Sequence, residues 1–457
     1  MSIIENKQLD PKLVEKVDID IQPTKKRILG PTSYTASFLG GCVSIGTFST
    51  GAALIGVLTV PQAIIAMAIG CLVIAIALAL IGECGHEYGI PFVVQLRSSF
   101  GNTGVKIPGI LRGVPAIVWF GFQSWVGAGA INSCFKILFG FDNLPVVFAL
   151  FTILQVVLAI NGFEGIKWLE NISCIFIIVI LVYMLFVVKT KFAAELDNAF
   201  AGIQGTWGLP FWAATTSFLG IYATMIINAS DYARIATDDI KPVKATAIYT
   251  VAILPVTVFM GLIGFLTSTA TGNSDPVVVF SETMGSKWLT IITLLFIAFA
   301  QVSTNVLNNV VPPSYILMES FKVNWKLATV IVGVLSVVVM PWKLVTADSA
   351  GGLDGFIHFY SAFLGPIFAV MVIDYYVLRK RKLDINDFYD TEGAFKGINW
   401  AGVIAIVIGA IVAYIFLSVS WYASLIPAGL SYYLLMKYLP AAAPFRKGTI
   451  FDEEKAA

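Results

Sequence analysis

Charge is what this sequence lacks most. Only 12% of its 457 residues are Asp, Glu, Lys or Arg, about half the share of a soluble globular chain. That is too little to solvate a globular surface of this length. The 29 basic and 28 acidic residues nearly cancel, so no basic field exists to hold nucleic acid. Low hydrophobicity with high net charge, the signature of disorder, is missing as well. Histidine is reduced to His86 and His358, which argues against a histidine-based metal site. The five cysteines (Cys42, Cys71, Cys84, Cys134 and Cys174) lie in or beside apolar runs with no CxxC pair. They read as small core residues rather than disulfides or metal ligands. No cofactor is expected.

What is present is apolar: 58% hydrophobic residues and a mean hydropathy of +0.84. The expected fold class is an all-α polytopic membrane protein. A bilayer span takes about 20 apolar residues, so twelve spans use roughly half the chain. Apolar runs fall at 34–58, 60–82, 107–135, 144–161, 171–188, 207–230, 245–270, 287–311, 327–341, 355–378, 399–419 and 421–439. This predicts a cytoplasmic tail over 1–33, a transporter-sized membrane domain over 34–439 and a second cytoplasmic tail over 440–457. The first 33 residues lack the apolar core and small-residue cleavage site of a signal peptide.

Charge placement tests the count. With the N-terminus inside, 24 of the 29 Lys and Arg face the cytoplasm, and only Lys136, Lys189, Lys191, Lys287 and Lys343 lie outside. Positive residues stay on the cytoplasmic side, which favours an even number of spans and places both termini inside the cell membrane. The run Arg379-Lys380-Arg381-Lys382 is then a topology anchor, with a lipid headgroup site as the alternative.

Transporters with inverted repeats are often legible as interrupted helices in corresponding positions of two halves. Span one, FLGGCVSIGTFSTGAALIG, clusters Gly40, Gly41, Ser44, Gly46, Thr47, Ser49 and Thr50. Span six, TTSFLGIYATMIINASDYA, carries Gly220, Thr224 and Asn228. One and six are equivalent in a five-plus-five arrangement, although small residues also serve close helix packing.

Buried polar groups in lipid need partners or a task. In span three, Trp119 and Gln123 are four residues apart and share one face. In span eight, Ala300, Ser303 and Thr304 share one stripe, and Asn305 and Asn309 the adjoining one. Hydroxyls beside an unwound helix suit Na⁺. Amides beside an indole suit a flat ring with adjacent C=O and N–H groups, as in nucleobases and hydantoin-like lactams. The alternative for Gln123 and the asparagines is interhelical glue. Trp125 and Trp212 read as packing or interface aromatics, and Arg112, Asp231 and Arg234 as helix-end residues. No Asp, Glu or Lys lies in the middle of spans one, three, six or eight. A membrane hydrolase would need a carboxylate pair, a metal cluster or a nucleophile with its base, so these spans argue against an enzyme. His358 reads as structural. The charged rings or filter loops of a channel are also absent.

Six stretches, YGIPFVVQLRSSFG (88–101), PAIVWFGFQSWVGAGAIN (115–132), GIYATMIINASDYAR (220–234), VSTNVLNNVVPPSY (302–315), MPWKL (340–344) and IDYYVLRKRKLDINDFY (373–389), come in order along the chain. Over about residues 20–440 the sequence resembles the nucleobase:cation symporter family 1, which includes the hydantoin transporter and the cytosine, purine and allantoin permeases. The resemblance implies the leucine-transporter type of fold. That fold has ten core helices in two inverted halves, two further helices, and discontinuous spans one and six.

By position, the resemblance makes Trp119 the stacking tryptophan and Gln123 its hydrogen-bonding neighbour. Tyr222 becomes the second stacking aromatic, where the hydantoin transporter has tryptophan and cytosine permeases phenylalanine. Thr224 falls on a polar substrate contact, and Asn305 and Asn309 on the amide positions of the eighth helix. The family's sodium site would take backbone carbonyls of Gly40, Val43 and Ala300 and the hydroxyls of Ser303 and Thr304. The expected function is a cation-coupled importer of a nucleobase or nucleobase-like heterocycle, such as cytosine or a purine, working by alternating access. Allantoin, hydantoin or a thiamine-precursor pyrimidine is the alternative cargo; a channel and a structural membrane protein are the readings from other classes. Ser and Thr do not titrate at physiological pH, which favours Na⁺ as the coupling ion. Protons relayed by Asp231 or Asp374 are the alternative. The expected partners are the small-molecule substrate and the lipid bilayer, and the sequence does not identify a protein partner.

Overall fold

The computed structural model describes residues 9–14, 21–42, 45–161, 179, 182–272, 276–344 and 349–452. Among these residues there are helices and turns but no strand; one isolated parallel bridge joins Leu29 to Ala236. The helices of the first half are α1 (Pro31–Cys42), α2 (Ile45–Ala52), α3 (Val60–Tyr88), α4 (Phe92–Phe100), α5 (Lys106–Phe139) and α6 (Leu144–Asn161). Then follow α7 (Leu209–Ile227), α8 (Ala229–Ala233), α9 (Pro242–Thr271), α10 (Pro276–Thr283) and α11 (Lys287–Asn305). The chain continues through α12 (Val311–Phe321), α13 (Trp325–Val338), α14 (Ser349–Val372), α15 (Ile385–Tyr389), α16 (Trp400–Ile415) and α17 (Ser420–Tyr438).

Local signals set the long helices. Thr59 and Gln62 form a capping box at the start of α3, and Gly89 in the left-handed region ends it, satisfying orphan groups at both termini. At 29 and 34 residues, α3 and α5 are about 44 and 51 Å long, more than a bilayer's hydrocarbon thickness. Six helices are long and apolar enough to cross a membrane, or up to eight if each of two sharply bent pairs is one span, among the described residues. The fifth expected span, 171–188, lies mostly outside them. Each of the other eleven expected spans is occupied by a described helix or helix pair.

Helices five spans apart pack on one another. The second-span helix α3 lies along the seventh-span helix α9, the third-span helix α5 along the eighth-span helix α11, and α6 against α13. This is the pairing of a five-plus-five repeat. Span six is interrupted: α7 stops at Ile227, Asn228 leaves helical geometry at φ −102° and ψ 24°, and α8 follows. In span one, α1 ends at Cys42 and α2 begins at Ile45; the residues between, 43–44, lie outside the described ones.

Span eight carries a different irregularity. A π-helical turn, Val306–Val310, joins α11 to α12. Pro312 and Pro313 follow directly, and neither has an N–H to offer the preceding turn. The ladder changes register here, with the Val311 N–H reaching back to the Val306 carbonyl.

The segment 21–30, inside the expected N-terminal tail, is packed onto the helices. Ile28 and Leu29 donate to the Ile235 carbonyl, Thr24 donates to Gly89, and Arg27 reaches the carbonyls of His86 and Arg234. The 440–452 segment is likewise held, by Arg379 donating to the Lys447 and Phe445 carbonyls and by Ile450 donating to Leu378.

Candidate functional site

Trp119, Gln123, Tyr222, Thr224, Asn305 and Asn309 are all buried, none more than 4% exposed. All six are therefore shielded from solvent in this conformation.

Trp119 projects from α5 toward α14. Its indole Nε1–H donates to the Tyr360 hydroxyl at 3.1 Å, and that hydroxyl donates to the Gly220 carbonyl at 2.7 Å. Edge contacts with Phe122 and a tilted contact with Phe356 frame the ring. Three spans thus meet through one hydroxyl. Gly220 permits it: a Cβ there would meet the Ile357 side chain and come within 2.9 Å of Ser361 Oγ.

Gln123, one turn further along α5, accepts from Asn309 Nδ2 at 3.4 Å. Asn309 Nδ2 also donates to Asn305 Oδ1 at 2.9 Å. Asn305 Nδ2 in turn reaches Gln155 Oε1 at 2.9 Å, Ser124 Oγ at 3.2 Å and the Phe120 carbonyl at 3.4 Å. Both ends of the Asn305 amide are therefore engaged inside the protein, one step behind Asn309. The structure joins Gln123, Asn305 and Asn309 by direct hydrogen bonds.

Tyr222 faces elsewhere. Its hydroxyl pairs with Thr257 Oγ1 on α9 at 2.8 Å, two residues and roughly 200° around α7 from Gly220. No ring contact joins Trp119 to Tyr222 among the described residues. Thr224 is buried on the same helix. Trp125 packs against Phe148 and Trp342, and Trp212 against Phe211 and Tyr422.

Of the expected ion-site residues, Gly40 lies in the last turn of α1, which packs on α11. The Thr304 hydroxyl is buried with no hydrogen-bond partner among the described residues. It shares that state with other buried hydroxyls, among them Thr47, Thr50, Thr152, Ser268 and Ser361, and a neutral oxygen left free in this way suits a hard cation. Val43 and the side chains of Ala300 and Ser303 lie outside the described residues. No group of three or more His, Cys, Asp or Glu that could hold a metal is found among the described residues.

Other contributors escaped the sequence reading. Arg112, expected near a helix end, is fully buried. It donates to Asn228 Oδ1 at 2.7 Å and to the Asn308 carbonyl at 3.0 Å, while Tyr232 donates to Asn308 Oδ1 at 2.5 Å. Asn228 Nδ2 extends the network to Asp231 at 3.4 Å. The break in span six and the π turn in span eight are thus bound together beneath Trp119. His358 Nδ1 lies 3.0 Å from the Asp354 carbonyl, and the Asp354 carboxylate takes the Ser217 hydroxyl at 2.6 Å. Tyr360 had a faint signal in its four-residue spacing from Phe356, and Gln155 in being a lone amide amid apolar residues.

The family model described as "Permease for cytosine/purines, uracil, thiamine, allantoin" matches residues 22–439. A hydantoin permease of Microbacterium maritypicum is 27% identical over 440 residues, covering 92% of this chain and 89% of its own. An allantoin permease of Bacillus subtilis is 27% identical over 467 residues, covering 92% of each. A solved nucleobase-cation-symport-1 family transporter, in a closed conformation with bromovinylhydantoin bound, superposes with a TM-score of 0.83 at 26% identity. That match covers 94% of this chain and 99% of the other.

Proposed function

The chain belongs to the family of permeases for cytosine and purines, uracil, thiamine and allantoin, and from that membership we propose that it is a cation-coupled symporter of a nucleobase or a nucleobase-like lactam. It is a multi-pass membrane protein, with the N- and C-termini proposed to lie on the cytoplasmic side of the cell membrane. Substrate binds between the Trp119 face and span six, where Tyr222 would have to turn from Thr257 to stack on the ring, with Thr224 nearby and Gln123 and Asn309 reading the polar edge. A base–aromatic stack is worth about 1–3 kcal/mol, and the amide pair supplies orientation. Na⁺ sits between spans one and eight, on carbonyls of Gly40, Val43 and Ala300 and on the hydroxyls of Ser303 and Thr304. Ion binding favours the outward-open state that receives the substrate.

One observation carries this reading: an indole face and the Gln123 amide share one buried side of α5, Asn309 of the π turn donates to that amide, and the indole N–H is already spent on Tyr360. Trp119 then offers a stacking plate, and the amides offer hydrogen bonds. The test has two stages. Thermal shift of the purified chain with cytosine, uracil, hypoxanthine, hydantoin, allantoin and a thiamine-precursor pyrimidine finds the binder, because only a ligand of the folded state raises its stability. Uptake of that compound into vesicles, with sodium and proton gradients imposed separately, then finds the driving ion. Accumulation that never exceeds equilibration would make the protein a channel, and absence of any saturable uptake would end the transport reading.

A further inference from the structure

The edge of the site is set by a polar chain that starts well away from it. Gln155 lies fully buried in α6. Its Nε2 is 3.3 Å from the Phe151 carbonyl oxygen and 2.9 Å from Ser124 Oγ. A carbonyl oxygen only accepts, so the nitrogen end of this amide must face Phe151. Gln155 Oε1 is thereby turned to Asn305, whose Nδ2 it accepts at 2.9 Å. The Phe120 carbonyl, on the other side of the same Nδ2 at 3.4 Å, enforces the same sense. Asn305 Oδ1 must then accept from Asn309, whose second Nδ2 hydrogen goes to Gln123 Oε1.

Amide orientation is ordinarily ambiguous, because oxygen and nitrogen differ little in shape. Here two backbone carbonyls remove the ambiguity, and each amide passes its direction to the next. At the end of the chain both Asn309 hydrogens and the Gln123 oxygen are spent within the protein. Asn309 Oδ1 and Gln123 Nε2 have no such bond among the described residues. One is an acceptor and the other a donor, on two amides joined by a hydrogen bond.

We infer that Gln155 is a positioning residue that polarises this amide ladder, so that the site presents one donor and one acceptor to a ring edge bearing adjacent C=O and N–H. This rests on the symporter reading above and narrows its substrate class. A ring whose edge N–H is methylated loses its partner for Asn309 and is rejected. A reversed ladder would set Gln155 Oε1 against the Phe151 carbonyl and Asn305 Oδ1 against the Phe120 carbonyl, opposing two close pairs of buried acceptor oxygens.

The experiment measures affinity of the full chain for whichever of the six compounds named above binds best, and for each ring-N-methyl derivative of that compound. The wild-type chain should discriminate against one N-methyl isomer by at least about tenfold, the scale of one buried hydrogen bond. Gln155→Met, similar in volume but without an amide, should lower that ratio about tenfold. It should add nothing in an Asn309→Ala background, because the ladder then has no end to set. Gln155→Glu should retain discrimination: burial holds a carboxyl neutral, its O–H donates to Phe151 and its carbonyl accepts from Asn305. That variant also covers the case in which Gln155→Met does not fold, since loss of discrimination in folded Gln155→Glu overturns the inference. So does equal discrimination in Gln155→Met and the wild type, or an undiminished Gln155→Met effect on Asn309→Ala. If none of the six compounds binds the wild-type chain, the functional reading fails and takes this inference with it. Binding without any N-methyl discrimination sinks the inference alone.

Discussion

The Trp119 indole N–H and the Tyr360 hydroxyl are 3.1 Å apart, and the same hydroxyl donates to the Gly220 carbonyl at 2.7 Å. One oxygen therefore links spans three, ten and six at the level of the candidate stacking residue. It fixes the indole plane and withdraws its only donor. Tyr360→Phe keeps the ring and deletes both bonds. At about 0.5–1.5 kcal/mol net for each, substrate affinity should fall roughly five- to 150-fold. The check is a double-mutant cycle with Trp119→Phe, which has no N–H. If Tyr360 acts through Trp119, its effect shrinks in that background; full additivity of the two losses would separate the residues.

Gly220 supplies the second expectation. Its missing Cβ is the space that the Ile357 side chain occupies. Gly220→Ala should push α14 off α7 and lengthen the bond from Tyr360 to the Gly220 carbonyl. Overpacking of this kind costs about 1–3 kcal/mol, and it should fall on the closed state, lowering the uptake rate while the chain still inserts. Ile357→Ala clears the site, so the double variant should recover much of the loss. Uptake equally poor in the double and single variants would remove Gly220 from this role.

These two residues mark what the sequence could and could not disclose. Spans, the even-count orientation argument and the shared face of Trp119 and Gln123 follow from hydropathy and from helical spacing, which are local. The direction of Asn305 is not local. On a helical wheel it adjoins Asn309, and the expectation placed both at the ring. In the fold, α6 packs on the π turn of span eight and takes Asn305 through Gln155, leaving Asn309 alone at the end. Tyr222 is similar: its position on span six was legible, but its hydroxyl is taken by Thr257 on α9, and no spacing rule names that partner. Arg112 reads from the sequence as a helix-end residue because it lies near the start of the expected span 107–135. Only the packing of α5 against the π turn buries it.

Arg112 also gives an expectation for stability. Pro312 has no N–H for the Asn308 carbonyl, and the Arg112 guanidinium donates to that oxygen at 3.0 Å as well as to Asn228. Arg112→Met leaves a buried carbonyl and a buried amide oxygen unmatched. Hydrogen bonds to charged groups are worth about 1.5–3 kcal/mol, so a marked fall in the unfolding temperature of detergent-purified protein is expected. Arg112→Lys keeps a charge but not the fork that reaches two acceptors at once, and should fall between. Identical melting of all three proteins would show that the network carries no stability.

Thr304 allows the ion assignment to be judged by the sign of an effect. Its hydroxyl is buried and unpartnered among the described residues, a costly state for a polar atom with no ligand, worth about 1–3 kcal/mol. Thr304→Val keeps the shape and removes the oxygen. If the hydroxyl is only a packing atom, the variant should be at least as stable as the parent in every salt, and should bind and transport substrate as before. If it is a sodium ligand, the variant should gain stability in sodium-free buffer and fail to gain more when sodium is added. The parent should rise with sodium as RT ln(1 + [Na⁺]/Kd), about 2.7 kcal/mol at a hundred times the dissociation constant, and should not respond to choline at equal ionic strength. Sodium-driven uptake should disappear in the variant together with that increment. Because Val cannot titrate and Thr does not titrate either, a proton-coupled carrier would show the same dependence on the proton gradient in both chains. An undiminished sodium increment in Thr304→Val would remove this hydroxyl from the ion site, and accumulation driven by protons without sodium would assign the coupling to another group.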